Sequence, residues 1–409
     1  MKYIVLLGDG MADYPVPALG GKTPLEAAKK PNMDFLAQHG ELGLVKTVPE
    51  GFPPGSDVAN LSVFGYAPQQ YYTGRSPLEA VSMGVPMKDT DMAFRCNLVT
   101  LSDEAHYEDK TMVDYSSGEI TTEEARELMK AIADNMNSPE FSFYPGISYR
   151  HCLIWSNGKE GLTLTPPHDI SGRKISSYLP KGTNGDVFLA FMKKSEAILK
   201  DHPINQNRIK RGLNPATSIW LWGQGRKPTL KPFREKYHLT GSVISAVDLI
   251  HGIGILAGLE SIRVEGATGN LHTNYKGKAL ACLRALENGS DFVYIHVEAP
   301  DECGHQGMLE GKITAIEKID SELLSPLLKG LEKLEYSILL MPDHPTPLSI
   351  RTHSREAVPY ALYRSTVKHT DQGGGGCSPS LRRFSEKEAE KTGFFIEEGH
   401  TLMDRFLSV

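Results

Sequence analysis

The sequence predicts an α/β protein in which helices flank a mostly parallel sheet and a smaller α+β domain interrupts the chain. Two observations lead to this prediction. Apolar segments lie close to both ends of the chain, within residues 2–9, 291–301 and 336–344, and nearly continuous apolar runs of this kind are typical of strands buried on both faces. The length of 409 residues exceeds what one core usually holds, since single cores stop growing at about 250 to 300 residues.

A helical pattern connects the second and third of these strands. Residues 310–334 read EGKITAIEKIDSELLSPLLKGLEKL, and large apolar residues recur there at helical spacing, at Ile313, Ile316, Ile319, Leu323 and Leu327. A strand, a helix and another strand in succession predict a parallel crossover unit.

The middle of the chain has a different character. Shorter segments of mixed polarity stand at residues 92–101, 146–157 and 161–172. A helical pattern at residues 121–136 opens on threonines that can cap it. Because apolar strands resume only after about residue 240, we expect residues 88–232 to form a domain inserted into a discontinuous one of residues 1–87 and 233–409.

Charge and composition exclude several classes of protein. A formal net charge of −6 argues against a nucleic-acid binder, which would show a basic surplus. The five cysteines form no CxxC pair, which predicts free thiols in a reducing compartment. The first apolar run is too short for a signal peptide, and no run of about 20 apolar residues could cross a membrane. We therefore expect a cytoplasmic protein without membrane or nucleic-acid partners.

An aspartate follows each of the three apolar strands, as Asp9, Asp301 and Asp343. In parallel sheets, ligands bind outside the carboxyl ends of the strands, so these carboxylates are expected at one edge. Three carboxylates at one edge repel one another unless cations compensate their charge.

Histidines accompany two of these aspartates. His305 lies four residues after Asp301, where a helix would put both on one face, while His344 adjoins Asp343 and His353 follows nearby. Alone, each residue has an ordinary explanation as a turn, cap or surface residue. Together they predict a site for manganese, zinc or a similar ion.

Ser56 is the candidate nucleophile. It stands in PPGSDVANLSVFGY, residues 53–66, after a Pro-Pro-Gly turn and before a helical pattern. A metal pair can clamp a phosphoryl group during its transfer to such a hydroxyl. The alternative is that Ser56 only caps the helix.

Two glycine-containing segments resemble nucleotide-binding motifs but are not expected to form a nucleotide site, and a third predicts a loop. GIGILAG, residues 252–258, follows SVISAVDLIH, which has a helical pattern where a dinucleotide fingerprint needs a strand. GHQGMLEGKIT, residues 304–314, has the wrong glycine spacing for a phosphate loop. TDQGGGGCSPS, residues 370–380, predicts a flexible loop around Gly373 to Gly376 whose role the sequence leaves open.

Several motifs together resemble a known family. They are LLGDGMAD, PPGSDVANLSVFGY, YYTGRSPLEA, YRH, HVEAPDECGHQG, PDHPTP and RTHS, which span nearly the whole chain. The sequence is similar to the archaeal-type cofactor-independent phosphoglycerate mutases of the alkaline phosphatase superfamily. The resemblance implies an alkaline-phosphatase-like α/β domain with a smaller inserted α+β domain, and an isomerase of glycolysis and gluconeogenesis that forms a phosphoserine intermediate.

The resemblance also implies two divalent metal ions and no 2,3-bisphosphoglycerate. Mn²⁺ is expected first, with Zn²⁺, Co²⁺ and Mg²⁺ as alternatives. The implied ligands of one ion are Asp9, Ser56, Asp343 and His344, with Ser56 also the catalytic nucleophile. The implied ligands of the other are Asp301, His305 and His353.

An anionic glycerate calls for cationic groups, arginine above all. The candidates in the inserted domain are Arg150, His151, His168 and Arg173, and Lys276 is the candidate in the outer domain. Taken alone, each is better explained as a solvated surface charge, and the motif context favours Arg150 most. In WLWGQG, Trp222 stands where the archaeal pattern leads us to expect an arginine, and the sequence does not assign its role.

Two other functions stay open at this point. The same serine and metals could serve a phosphotransferase or phosphatase acting on another small metabolite, homoserine included. A non-catalytic metal-binding protein would keep the metal ligands but has no need for Ser56. The expected partner is a small phosphorylated metabolite, and a homo-oligomer is compatible with the sequence.

Overall fold

The computed structural model describes residues 1–366 and 382–408. The predicted flexible loop at residues 370–380 lies outside the described residues. Up to residue 72 the elements are β1 (Lys2–Gly8), α1 (Pro24–Ala27), α2 (Pro31–His39), β2 (Glu41–Val45), α3 (Ser56–Val63) and α4 (Pro68–Tyr71).

The elements between residues 73 and 229 are α5 (Ser76–Ser82), β3 (Met92–Leu101), β4 (Met112–Asp114), α6 (Thr122–Met136), β5 (Phe141–Ile147), β6 (Arg150–Trp155), β7 (Leu162–Thr163), β8 (Lys181–Gly182), α7 (Gly185–Leu199), α8 (Pro203–Lys210) and β9 (Ser218–Arg226). The elements from residue 230 onward are α9 (Phe233–Tyr237), β10 (Gly241–Ser245), α10 (Asp248–Leu256), β11 (Glu260–Arg263), α11 (Tyr275–Glu287), β12 (Phe292–Val297), α12 (Ala299–Gln306), α13 (Leu309–Lys318), α14 (Ser325–Leu331), β13 (Tyr336–Met341), β14 (Val358–Arg364), α15 (Glu386–Lys391), β15 (Phe395–Ile396) and α16 (Leu402–Leu407).

The described chain separates into two compact units. Of the described residues, the first unit contains 1–72, 230–366 and 382–408, and the second contains 73–229. Helix α5 packs against β3 and β9, which places it with the second unit. The sequence predicts the boundaries after residues 87 and 232.

The first unit is built on an eight-stranded sheet in the order β11-β10-β12-β1-β13-β14-β2-β15. The five strands from β11 to β13 run parallel, whereas β14 is antiparallel to both of its neighbours. The predicted α/β class with a mostly parallel sheet is confirmed. Because Gly8 pairs with Val297 and Leu7 pairs with Met341, the carboxyl ends of β12, β1 and β13 lie side by side.

The predicted crossover helix connects β12 to β13. It consists of α13, a π-helical segment at Ile319–Leu324 and α14. Four of the five residues that the spacing predicts to face inward are fully buried, namely Ile316, Ile319, Leu323 and Leu327. They join the apolar residues of β1, β12 and β13 in one core. The fifth, Ile313, is only partly buried but packs against the same core.

The second unit has a mainly antiparallel sheet in the order β4-β3-β6-β5, with β9 also paired to β3. The predicted helix near residue 121 is α6, and the Thr121 side chain caps it by accepting a hydrogen bond from the Glu124 backbone N–H. Helix α6 buries an apolar stripe against a separate core.

One local prediction from the sequence is wrong. SVISAVDLIH is not wholly helical, because its first residues form β10 and only Asp248 begins α10. Two glycines of GIGILAG lie inside α10, so they form no nucleotide-binding turn. A Cβ at Gly254 would stand 2.4 Å from the Val243 side chain, so this glycine allows the helix to pack closely on β10.

The described cysteines, Cys96, Cys152, Cys282 and Cys303, are free thiols and are buried. In the part of the chain that the structure describes, every helix is too short or too polar to cross a bilayer.

Candidate metal centre

The three strand-end aspartates meet at the carboxyl edge of the first unit's sheet. Asp9 directly follows β1, Asp343 comes two residues after β13, and Asp301 lies in the first turn of α12. Their exposed fractions are 2%, 0% and 6%, so three carboxylates share a nearly dry site.

A glycine lets the chain turn between these carboxylates. Gly10 has a φ of +62°, which is the left-handed region that favours glycine. A Cβ there would lie 2.8 Å from the Cα of Asp301. The backbone N–H of Gly10 donates to Asp343 Oδ1 over 3.1 Å, so the turn also positions a carboxylate.

Ser56 is the first residue of α3, and Gly55 occupies the cap position. The alternative that Ser56 only caps the helix is therefore wrong, because Gly55 and not Ser56 is the cap residue. Instead, Ser56 Oγ lies 3.1 Å from His344 Nε2 and 3.5 Å from Asp9 Oδ2. The hydroxyl faces the aspartate cluster at the start of a helix.

Two histidines flank Asp301. His305, on α12, has its Nε2 3.3 Å from Asp301 Oδ2, and His353 has its Nε2 3.4 Å from Asp301 Oδ1. The two Nε2 atoms are 2.9 Å apart. The three side chains converge, as the spacing of Asp301 and His305 on one helix face predicts.

His344 lies between the two ends of the site. Its Nε2 is 3.4 Å from Asp343 Oδ2 and 3.5 Å from Asp9 Oδ1. Ligand atoms form two groups, each within 4.8 Å, which are Asp301 with His344 and His353, and Asp9 with His296 and Asp343. The seven predicted metal ligands therefore lie close together. Which of the two ions His344 would bind stays a prediction.

Sequence reasoning missed several supporting residues. Asn60, one turn after Ser56 on α3, donates from Nδ2 to Asp343 Oδ2 over 2.8 Å and to the Ser56 carbonyl. Thr346 donates to Asp301 Oδ1. The four-residue spacing between Ser56 and Asn60 could have identified Asn60, but nothing local to Thr346 marks it.

The electrostatics of the site favour cations. Burial, together with the charges of Asp343 and Asp301, raises the pKa of Asp9 well above its usual value. Burial would also raise the pKa of Asp301, but hydrogen bonds from His305 and His353 outweigh it and hold that pKa well below the usual value. The hydrogen bond to Asp301 in turn raises the pKa of His305 to about 9.

The residues present fit divalent metal ions. Oxygen and imidazole nitrogen ligands in one buried site suit ions such as manganese or zinc. Among the described residues, Asp9 Oδ1 is buried and has no hydrogen-bond partner, which is costly for a carboxylate oxygen unless a cation binds it. The same ions would compensate the crowded aspartate charges.

The predicted substrate-binding residues of the second unit differ in their exposure and in their contacts. Arg150 is exposed at the start of β6, whereas His151, on the opposite face of that strand, is 3% exposed. His151 accepts from the Gly146 N–H, and burial lowers its pKa to about 3. Arg173 is exposed and donates to the Tyr178 hydroxyl.

A cationic cluster that sequence reasoning missed lies near Arg150. Arg75 and Arg95 both pair with Glu79, at 2.7 and 3.0 Å. Burial lowers the pKa of Arg95 to about 10, and the positive charges of Arg75 and Arg150 act in the same direction. Three arginines around one carboxylate leave a local positive excess that favours an anion.

Trp222 belongs to this arginine cluster. It pairs with Arg95 across β9 and β3, and the Arg95 guanidinium lies 4.5 Å from the centre of the indole ring. The indole N–H donates to Asn97 Oδ1 over 3.0 Å. The exposed His168 ring stands edge-on to Trp222 at 5.2 Å. The Trp222 indole therefore packs against the Arg95 guanidinium and the His168 ring.

Lys276 lies in the first unit, in the first turn of α11. It is exposed and lines a groove of about 550 Å³ between β11 and α11, with Arg263 and Arg284. The structure shows no contact between the described Lys276 side chain and the metal centre.

Comparison with known proteins gives consistent matches. A family profile described as 2,3-bisphosphoglycerate-independent phosphoglycerate mutase matches residues 37–205. A probable 2,3-bisphosphoglycerate-independent phosphoglycerate mutase from Geobacter sulfurreducens is 52% identical over 408 residues, covering 100% of both chains. The corresponding mutase of Methanosarcina barkeri is 52% identical over 394 residues, covering 96% of this chain and 95% of that one.

Two solved structures are similar to this chain over nearly its whole length. A protein from Pyrococcus horikoshii superposes with a TM-score of 0.80 at 29% identity, covering 99% of this chain and 96% of its own. The cofactor-independent phosphoglycerate mutase from Thermoplasma acidophilum superposes with a TM-score of 0.64 at 26% identity, covering 100% of this chain and 99% of its own.

Proposed function

The chain belongs to the family of 2,3-bisphosphoglycerate-independent phosphoglycerate mutases, and we propose that it interconverts 3-phosphoglycerate and 2-phosphoglycerate through a phosphoryl group carried by Ser56. It is an isomerase that needs no 2,3-bisphosphoglycerate. The resemblance inferred from its motifs is confirmed. We expect it to act in glycolysis and gluconeogenesis in the cytoplasm.

The placement of Ser56 carries the proposal. A phosphoryl group on its oxygen would lie at the N-terminus of α3, where backbone N–H groups and the helix dipole favour negative charge. The hydroxyl also stands within 3.5 Å of His344 and Asp9. A purely structural serine at this helix start would have no reason to face two metal-ligand side chains.

Two divalent cations, when bound, would neutralise the phosphoryl oxygens and lower the pKa of the serine hydroxyl. Asp9, Ser56, Asp343 and His344 would hold one cation, and Asp301, His305 and His353 the other. We expect Mn²⁺, with Zn²⁺, Co²⁺ and Mg²⁺ as alternatives.

The chain's own groups then act in two transfers. Ser56 Oγ loses its proton and forms a bond to phosphorus as the bond to the 3-oxygen of the glycerate breaks and that oxygen takes a proton. In the second transfer, the 2-hydroxyl loses its proton and takes the phosphoryl group, and Ser56 Oγ regains a proton. Asn60 fixes the serine end of the site by holding the Ser56 carbonyl and Asp343.

The glycerate must stay bound while it reorients, and this requires cationic groups. The arginine cluster of the second unit, Arg75, Arg95 and Arg150, has the charge excess for a carboxylate or phosphate. Arg150 is exposed and available to a ligand. The buried His151 is a weaker candidate than the sequence implied, since burial keeps it neutral.

A product assay tests the proposal. The full chain, loaded with Mn²⁺, is incubated with 3-phosphoglycerate in the absence of 2,3-bisphosphoglycerate, and ³¹P spectra follow the formation of 2-phosphoglycerate. A parallel reaction contains homoserine and ATP. Phosphate moving only to homoserine, with 3-phosphoglycerate unchanged, would overturn the mutase assignment and favour a kinase of the same architecture.

A further inference from the structure

Two side chains of β12 connect this strand to the aspartates of the metal centre through hydrogen bonds. Tyr294 and His296 are two positions apart on the strand, so their side chains lie on the same face of the sheet. Both are fully buried. Tyr294 reaches Asp343 through Asn60, whereas His296 reaches Asp9 directly.

The hydrogen bonds of His296 assign the role of each ring nitrogen. Its Nε2 lies 3.0 Å from Asp9 Oδ2. When a bound cation keeps Asp9 ionised, this carboxylate can only accept, so Nε2 is then the atom that carries the hydrogen. Its Nδ1 lies 3.2 Å from Ser245 Oγ. Because Ser245 Oγ already accepts from the Val247 N–H, its own hydrogen is available to Nδ1.

The backbone that carries the His296 ring is also anchored. Lys278 Nζ donates to the backbone carbonyl of His296 over 2.7 Å. Strand β12 is paired on both sides, by β10 and β1, so the backbone that carries the ring is fixed as well. His296 is therefore a rigid donor aimed at one oxygen of Asp9.

This arrangement gives the two carboxylate oxygens of Asp9 different surroundings. His296 engages Oδ2, while Oδ1 is buried with no hydrogen-bond partner within the described chain. Oδ1 lies 3.5 Å from His344 Nε2, on the side of the other metal ligands. The Tyr294 hydroxyl acts similarly on Asp343, since it donates to Asn60 Oδ1 over 2.6 Å and thereby orients the Asn60 amide.

We propose that His296 is a positioning residue that holds Asp9 Oδ2, so that Asp9 ligates the metal through Oδ1 alone, and that Tyr294 and Asn60 orient Asp343 in the same way. This inference rests on the proposed metal centre but not on the identity of the substrate. The competing role for His296 is that of a direct ligand, since its ring lies within reach of Asp9 and Asp343. That role would require Nε2 to give up its hydrogen and its bond to Asp9.

Two substitutions distinguish these roles. In His296→Gln, the side-chain amide can still donate to Asp9 Oδ2, whereas His296→Phe keeps a ring but removes the donor. Mn²⁺ affinity is measured by chelator competition on the full chain, and pulsed electron paramagnetic resonance counts the nitrogens bound to Mn²⁺. We expect His296→Phe to weaken Mn²⁺ binding about 10- to 100-fold. We expect His296→Gln to stay within about threefold of wild type with the same nitrogen count.

Equal losses in both variants, together with one fewer bound nitrogen, would identify His296 as a ligand and overturn the proposal. Unchanged affinity in both would also overturn it. If His296→Phe does not fold, Tyr294→Phe replaces it, and weaker Mn²⁺ binding with an unchanged nitrogen count is then expected. Unchanged Mn²⁺ binding by Tyr294→Phe would contradict the claim that Tyr294 and Asn60 orient Asp343. Since no substrate is present, failure of the mutase assay would leave these results intact.

Discussion

Ser56 has a hydroxyl whose contacts lie wholly within the metal centre, so its removal should affect chemistry far more than folding. Ser56→Ala should abolish turnover while retaining the fold and most metal binding, because one ligand among several is lost. Mutase activity, circular dichroism and bound metal are the measurements. Ser62→Ala is the matched control, since Ser62 lies on the same helix but donates to the Thr47 carbonyl. A phosphoryl group trapped on another residue by mass spectrometry would contradict the assignment.

His305 should make metal binding depend on pH. Its hydrogen bond to Asp301 raises its pKa to about 9, so below pH 9 an incoming metal must displace a proton from the metal-free site. The apparent affinity should therefore rise by up to about tenfold per pH unit between pH 6 and 9, since one proton is exchanged for one ion. Chelator competition across this range gives the slope.

His305→Asn serves as the control for that slope. An amide oxygen can still ligate but takes up no proton at these pH values, so the dependence on pH should become shallower. An affinity in the wild type that is independent of pH would contradict the role given to His305.

The metal ligands could be predicted from the sequence because they combine strand ends with local spacing. Asp9 directly follows an apolar strand, Asp343 comes two residues after another, and Asp301 and His305 share a helix face. His296 and Arg95 could not be recognised, since each stands inside a strand and looks like an ordinary sheet residue. Their roles depend on which strands pair, as when β3 brings Arg95 opposite Trp222.

At the level of elements, α15 begins with a carboxyl group in an unusual environment. Glu386 accepts from the Asp13 backbone N–H over 3.1 Å and from the Thr23 hydroxyl over 2.8 Å. Burial raises its pKa to about 7, above the value of an exposed glutamate. The folded state therefore binds this proton more tightly than the unfolded state does, and the stability that results is present at low pH and lost as pH rises through 7.

Glu386→Gln should remove this part of the pH dependence, because the amide keeps the shape but cannot ionise. Between pH 5 and 8 the wild type should lose on the order of 1 to 3 kcal/mol of unfolding free energy relative to the variant. Denaturant unfolding at both pH values measures the difference. Glu388→Gln, on the same helix, is the control. A wild type and Glu386→Gln variant with parallel pH profiles would contradict the assignment.

Helices and strands could be predicted from the sequence where the apolar run or the helical spacing extends over many residues. The buried strands β1, β12 and β13 and the crossover helix follow directly from apolar runs and helical spacing. The helical prediction for β10 is wrong because SVIS, residues 242–245, places only two apolar residues between serines before a helix and fits either structure. Only the pairing of β10 with β12 decides the outcome.

The first unit as a whole should depend on its metal ions. Its core strands converge on three buried carboxylates whose mutual repulsion cations would relieve. Exhaustive chelation should abolish activity and lower the melting temperature, and restored Mn²⁺ at about 100 times its dissociation constant should return about 2.7 kcal/mol. Calorimetry and metal analysis, with about two ions expected per chain, provide the test. Full activity after complete chelation would contradict a dimetal centre.

The division into two units leads to the last prediction, which separates isomerisation from hydrolysis. Isomerisation requires the glycerate to remain bound while it reorients, whereas hydrolysis of a small phosphate ester requires only Ser56, the metals and water. Arg150→Ala should therefore reduce mutase activity about 10- to 100-fold, the loss expected for one charge-assisted contact of about 1.5 to 3 kcal/mol, and should reduce ester hydrolysis much less. Lys130→Ala is the matched control, since Lys130 is an exposed cation of the same unit that pairs with Asp134 on α6. Equal losses in both reactions would show that Arg150 supports the fold or the metal centre, because only a contact with the substrate acts on one reaction and leaves the other.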